Sequence, residues 1–181
     1  AASSAALALE FVCYSLLNSF SQACTTFVGQ NNGAGNLSRC KDVLKVALIE
    51  DAIITVVMIA LVVWQGCTIL TLFSSDAEVL DIAYVRICTL FPAYVFSMVY
   101  ENMSGYLRGF GISVLPSALT AIGVCGTRFF WALVVFPAHP TFATVMLAYP
   151  VSFSTTALLM AGALAYCRPA QQAMHLSTAT S

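Results

Sequence analysis

The stretch Val46–Gly66 reads VALIEDAIITVVMIALVVWQG, apolar throughout except for Glu50, Asp51 and a few small polar residues. A helix rises about 1.5 Å per residue, so about 20 such residues cross the roughly 30 Å of bilayer hydrocarbon. Comparable stretches fall at about Ala5–Val28, Tyr84–Leu107, Ser113–Phe136 and Phe142–Tyr166. Lipid offers no partner to a backbone N–H or C=O, so each span must satisfy its hydrogen bonds internally, as a helix. The expected fold is an all-α membrane protein with about five transmembrane helices.

Composition agrees with this reading. Hydrophobic residues make up 60% of the chain and charged residues 8%, with a mean hydropathy of +0.88. An ordinary soluble domain carries about a quarter charged residues. The net charge of -1 provides none of the basic excess expected of a nucleic-acid binder. Cys13, Cys24, Cys40, Cys67, Cys88, Cys125 and Cys167 lie scattered, without a CxxC pair or a histidine nearby. They read as small apolar packing residues, and no metal site is expected. His139 and His175 share no ligand spacing and read as surface residues.

Orientation follows from lysine and arginine in the short loops. Arg39, Lys41 and Lys45 mark the first loop, Arg108 the third, and Arg168 follows the last span, whereas Cys67–Glu78 and Pro137–Pro140 have no basic residue. The first and third loops and the C-terminus are therefore expected in the cytoplasm. Arg86, just inside the outer end of the third span, is expected to reach the interface by snorkelling. Ser75 and Glu78 have the spacing of a capping box. Residues 168–181, RPAQQAMHLSTATS, form a polar cytoplasmic tail expected to be disordered. The chain opens AASSAALALEF, with neither a basic leader nor an initiator Met, and is expected to be the internal part of a longer protein.

Charged residues within a span are costly and point to function. Glu10, Glu101 and Arg128 qualify; Glu50 and Asp51 are read as anions near the N-terminus of the second helix, favoured by its dipole. Glu10, Tyr14, Asn18, Gln22 and Thr25 recur every three or four residues, and Tyr94, Ser97, Glu101, Gly105 and Arg108 do so on the third span. Two polar stripes should face the bundle interior or a water-filled cavity. Tyr14, Asn18, Gln22, Tyr94 and Ser97 are the cavity-lining candidates, with Phe11 a further aromatic contact. Glu101 lies about 10 Å from the cytoplasmic end of its helix, Arg128 about 12 Å from the outer end of its own, and Glu10 about 8 Å below the outer surface. Similar depth makes Glu10 and Arg128 the expected structural ion pair. Glu101 is left unpaired and free to titrate, the ion-coupling candidate.

Phe27–Asn36, FVGQNNGAGN, ends the first span. It is not a phosphate loop, since no Gly-Lys-Ser/Thr follows and no strand precedes. Its glycines suit a turn where the chain leaves the membrane.

Four segments, QACTTFVGQNNGAGNLSR, YENMSGYLRGFGISVLP, GVCGTRFFW and LAYPVSFSTTALL, resemble, in this order, the second-lobe helices of the multidrug and toxic compound extrusion (MATE) family. The resemblance implies twelve helices in two six-helix lobes, exchanging protons or sodium ions for organic, often cationic, compounds. The five spans resemble helices eight to twelve, so that residues 1–167 would be part of a second lobe, and the missing first lobe a partner alongside lipid and small organic substrates. It implies a multi-pass protein of the cell (inner) membrane and no enzyme: no nucleophile and base pair or metal cluster is recognisable. No cofactor beyond the coupling ion is implied. An acid commonly stands where Glu101 stands, and an arginine where Arg128 stands; other branches place the acid nearer Ser97. Gly29, Gln30, Asn31, Gly33, Ala34 and Gly35 match the family's turn signature, and Gly105, Leu107, Arg108 and Gly109 its helix-end signature. Two other readings are a lipid-linked oligosaccharide flippase of the same superfamily, which should carry several basic cavity residues, and a membrane scaffold with dry, fully paired polar stripes. A single lobe has nothing to rock against and should not transport alone.

Overall fold

The computed structural model describes residues 2–71, 77–138 and 140–169. Ser75, His139 and His175, and with them the capping box and all but the start of the polar tail, lie outside the described residues. Five long helices account for most of the rest: α1 (Ala2–Gly33), α2 (Leu37–Thr71), α3 (Ala77–Gly109), α4 (Val114–Ala138) and α5 (Phe142–Cys167). Among the described residues, three are long and apolar enough to cross a membrane by length and composition: Leu37–Gly66 of α2, α4 and α5. α1 and α3 have the length, but their polar stripes dilute the apolar signal.

Each helix outruns the apolar stretch that announces it. FVGQNNGAGN is the clearest case, because Gly29, Gln30, Asn31 and Gly33 are still helical; the turn is confined to Ala34–Asn36. Asn31 Nδ2 donates to the Phe27 carbonyl at 2.8 Å, reinforcing this last turn. The helix then closes with Asn36 N donating to Asn31 O at 2.8 Å and Gly35 N to Asn32 O at 3.0 Å. That is a Schellman cap, which requires a left-handed residue, here Gly35 with φ 75°. α3 ends identically: Ile112 N donates to Leu107 O at 3.1 Å and Gly111 N to Arg108 O at 2.9 Å, with Gly111 at φ 81°.

α3 is the central helix, flanked by α1, α2 and α5. α1 and α3 run parallel and in register, joined by contacts between positions roughly 80 residues apart, such as Ser21 with Glu101 and Thr25 with Gly105. Small residues let the backbones approach. A Cβ on Gly105 would collide with the Ser21 carbonyl oxygen, and one on Gly109 would lie 2.6 Å from Val28 Cβ. The core beside this seam is built from Leu17, Ile87, Leu90, Phe91, Tyr94, Phe153 and Met160, and Cys13, Cys24 and Cys40 are buried as packing residues.

α4 is different in kind. It is interrupted by π-helical turns at Ala121–Gly126 and Trp131–Val135, and it leaves Ile122, Phe129, Phe130 and Leu133 exposed. Its closest approach is to α5, where a Cβ on Gly123 would collide with Thr156 Oγ1. Thr141 caps α5, its hydroxyl accepting from Thr144 N at 3.3 Å.

Candidate functional site

The polar residues of α1 and α3 meet along their shared seam. Toward the N-terminal ends of the two helices, Arg86 Nε donates to Glu10 Oε1 at 2.7 Å and Nη2 to Oε2 at 3.0 Å. This bidentate pair is nearly enclosed, with side chains 14% and 11% exposed, so Arg86 does not snorkel to the interface. Nor does Glu10 pair with Arg128. Glu10 and Arg86 lie about 12 and about 14 Å below the starts of α1 and α3, and parallel packing sets them side by side. Depth alone could not choose between the two arginines; the helix neighbours did.

Arg128 lies between α4 and α5 instead. Its Nε donates to Ser152 Oγ at 3.2 Å, and its guanidinium lies 4.3 Å from the centre of the Tyr149 ring and 5.3 Å from that of Phe153. Cation–π contact and one hydroxyl thus hold it without a carboxylate.

Glu101 is buried and not unpaired. The Tyr14 hydroxyl donates to Oε1 at 2.8 Å, and Arg108 Nη2 stands 4.0 Å from Oε2. The arginine is committed elsewhere: the same nitrogen donates to Ser21 Oγ at 2.8 Å. Ser21 in turn donates to the Glu101 carbonyl at 2.7 Å, and Thr25 to that of Gly105 at 3.0 Å. The carboxyl therefore has one close donor, a half-buried tyrosine, and one cation at the limit of contact.

The α1 stripe divides. Tyr14, Ser21 and Thr25 turn toward α3, while Gln22 is exposed and Asn18 half-buried. Gln22 Nε2 donates to Asn18 Oδ1 at 3.4 Å, and with Ser15 and Ser19 they line a shallow polar groove on the outer side of α1. Tyr94 and Ser97 are buried in the core: Tyr94 packs on Phe91 and Phe153, and Ser97 Oγ lies 3.4 Å from the Tyr100 hydroxyl. Phe11 is 73% exposed.

Asp51 is the residue that helical position misjudged. α2 begins at Leu37, so Asp51 is about 21 Å from its N-terminus, beyond a dipole effect that fades within the first turn. Neighbouring Glu50 is exposed, but Asp51 is fully buried. It accepts from Asn102 Nδ2 at 2.5 Å and from Thr55 Oγ1 at 3.3 Å. Asn102 follows Glu101 directly, so consecutive residues of α3 hold one carboxyl toward α1 and one toward α2. The polar asparagine inside YENMSG was the available signal.

The model of the MatE family matches residues 1–134. The chain belongs to this family. It is 27% identical over 143 residues to the probable multidrug resistance protein YoeA of Bacillus subtilis (strain 168), covering 77% of this chain and 30% of that protein. It is 26% identical over 108 residues to the probable multidrug resistance protein NorM of Thermotoga maritima, covering 60% of this chain and 23% of that one. The matched region spans under a third of the length of either curated relative. No solved structure matches the chain. The MatE match takes in α1 to α3 and most of α4, and so contains Glu10, Asp51, Arg86, Glu101, Asn102 and Arg108. The signature residues of this MatE chain serve packing and capping: Gly105 and Gly109 admit α1, Gly35 caps α1, and Leu107 and Arg108 supply the carbonyls that cap α3.

Proposed function

We propose that this MatE chain is part of a secondary efflux transporter that exports organic, often cationic, compounds in exchange for protons or sodium ions, with Glu101 as a coupling carboxyl. The observation that carries the reading is Glu101 itself. It is buried in a MatE-matched helix, held by Tyr14, and faces an arginine already engaged by Ser21. The names of the relatives, both probable multidrug resistance proteins, support the choice of cargo.

The groove of Ser15, Asn18, Ser19 and Gln22 supports a second half to the molecule. These side chains lie midway along α1 on a surface that α2 to α5 leave uncovered. A polar groove at that depth is expensive against lipid and suits a water-filled cavity shared with another lobe. In this reading the protein is a multi-pass component of the cell membrane. The basic loops at Arg39 to Lys45 and at Arg108, and the C-terminus, are cytoplasmic.

The test is gradient-driven efflux of a fluorescent organic cation from cells expressing the whole gene product, with proton and sodium gradients imposed separately. Glu101→Gln is expected to abolish efflux driven by the coupling gradient while leaving the protein in the membrane. Undiminished efflux in that variant removes Glu101 from the mechanism.

A further inference from the structure

Asp51 has no role in the site as described, and its surroundings are unlike those of the other buried acids. Glu10 has a bidentate arginine, and Glu101 has a tyrosine and an arginine at 4.0 Å. Asp51 has neither. Its partners are Thr55, one turn along its own helix, and Asn102 from α3, and all three side chains are fully buried. Among the described residues no lysine or arginine pairs with it, and the charged group whose field it meets is another acid, Glu101. Lys45, a turn and a half before it, is turned outward and pairs with Asp42 at 3.4 Å.

An ionised carboxylate enclosed in this way costs several kcal/mol to desolvate. Its hydrogen bonds come only from the neutral side chains of Asn102 and Thr55, and the neighbouring Glu101 adds repulsion. Neutralisation is the usual outcome for such a group. Asn102 donates through Nδ2 to both Asp51 and the Met98 carbonyl, at 3.0 Å for the latter, while its own Oδ1 is buried with no donor. A protonated Asp51 has one O–H to place, and the acceptor at hand is the Thr55 hydroxyl, which can turn its own hydrogen back to the helix, while Asn102 Nδ2 continues to donate to the other carboxyl oxygen.

We infer that Asp51, with Asn102 and Thr55, forms a proton-binding site separate from Glu101, reached across α3 from it. When the proton is present the acid donates; when it leaves, the carboxylate accepts from Asn102 and Thr55. Glu101 and Asn102 are adjacent in α3, so a change in the charge of either acid is felt by the same turn of helix. The inference of a proton site rests on the enclosure of Asp51 among neutral partners; its use in transport rests on the efflux reading above.

Infrared difference spectroscopy of the whole gene product in lipid, stepped between acid and alkaline pH, reads the site directly through the carbonyl stretch of a protonated carboxyl. The expected result is an acid band that disappears in Asp51→Asn, persists in Glu101→Gln, and moves in frequency in Asp51→Glu. The last variant keeps the test decisive if Asp51→Asn fails to fold. A spectrum in which neither Asp51 variant removes or moves any acid band overturns the proposal. Because this readout is independent of cargo, a protein that shows the Asp51 band but exports nothing refutes the efflux reading and leaves the proton site standing.

Discussion

The two ends of the α1–α3 seam spend their charges in opposite ways. Toward the N-terminal ends one acid meets one arginine in a bidentate clasp: Glu10 and Arg86 hold each other at 2.7 and 3.0 Å. Deeper in, two acids, Glu101 and Asp51, share a single turn of α3, and the nearest cation, Arg108, is 4.0 Å from one of them and bonded to Ser21. Neutralised charge in a low-dielectric interior behaves as structure. The deeper acids lack such a clasp, and the proposed proton and coupling roles rest on that difference.

The largest effect that would sharpen this contrast is at the clasp. Arg86→Ala leaves Glu10 buried and uncompensated and is expected to destabilise the protein by about 3–5 kcal/mol, read by thermal unfolding in detergent. Replacing both partners, Glu10→Gln with Arg86→Gln, should recover much of the loss; an equal loss in the double variant would mean that the pair is not the anchor of that end. Next in size is Gly105→Val, which forces a side chain into the Ser21 backbone and should cost about 1–3 kcal/mol. Gly126→Ala is its control, since the added Cβ meets only Ile122 Cγ2 at 3.9 Å. A smaller stability change, about 1.5 kcal/mol, is expected for Tyr14→Phe, which removes the close donor to Glu101; the same variant should alter efflux, whereas Thr25→Val, on the same seam but away from the acid, should not. Smallest are the caps: Gly35→Ala and Gly111→Ala each place a Cβ in the left-handed region and should cost about 1 kcal/mol apiece. Unequal costs would show that the two Schellman turns are not equivalent.

Much of this was legible in the chain because it depends on local repetition. Apolar stretches near the bilayer thickness announce helices whatever their neighbours, and the glycines of FVGQNNGAGN announce a turn, whereas the left-handed caps at Gly35 and Gly111 came from the structure. The stripes on α1 and α3 were also legible as stripes. Which member of a stripe makes contact was not: Asn18 and Gln22 have the right period, yet Ser21, between them, meets Glu101 and Arg108. Polar character marks a helix face to within about one residue's rotation, roughly 100°, and small residues on the partner choose the final register.

What the sequence by itself determined is the kind of molecule: an all-helical membrane chain of the MatE family, with acids and arginines placed inside its spans. What only the tertiary structure decided is their pairing. Depth along a helix is counted from residue numbers, but partnership depends on which helices are neighbours and how closely they approach. Parallel packing of α1 on α3 gave Glu10 to Arg86, docking of α4 on α5 gave Arg128 to Tyr149 and Ser152, and the packing of α2 against α3 made Asp51, expected as an anion near a helix start, a buried acid.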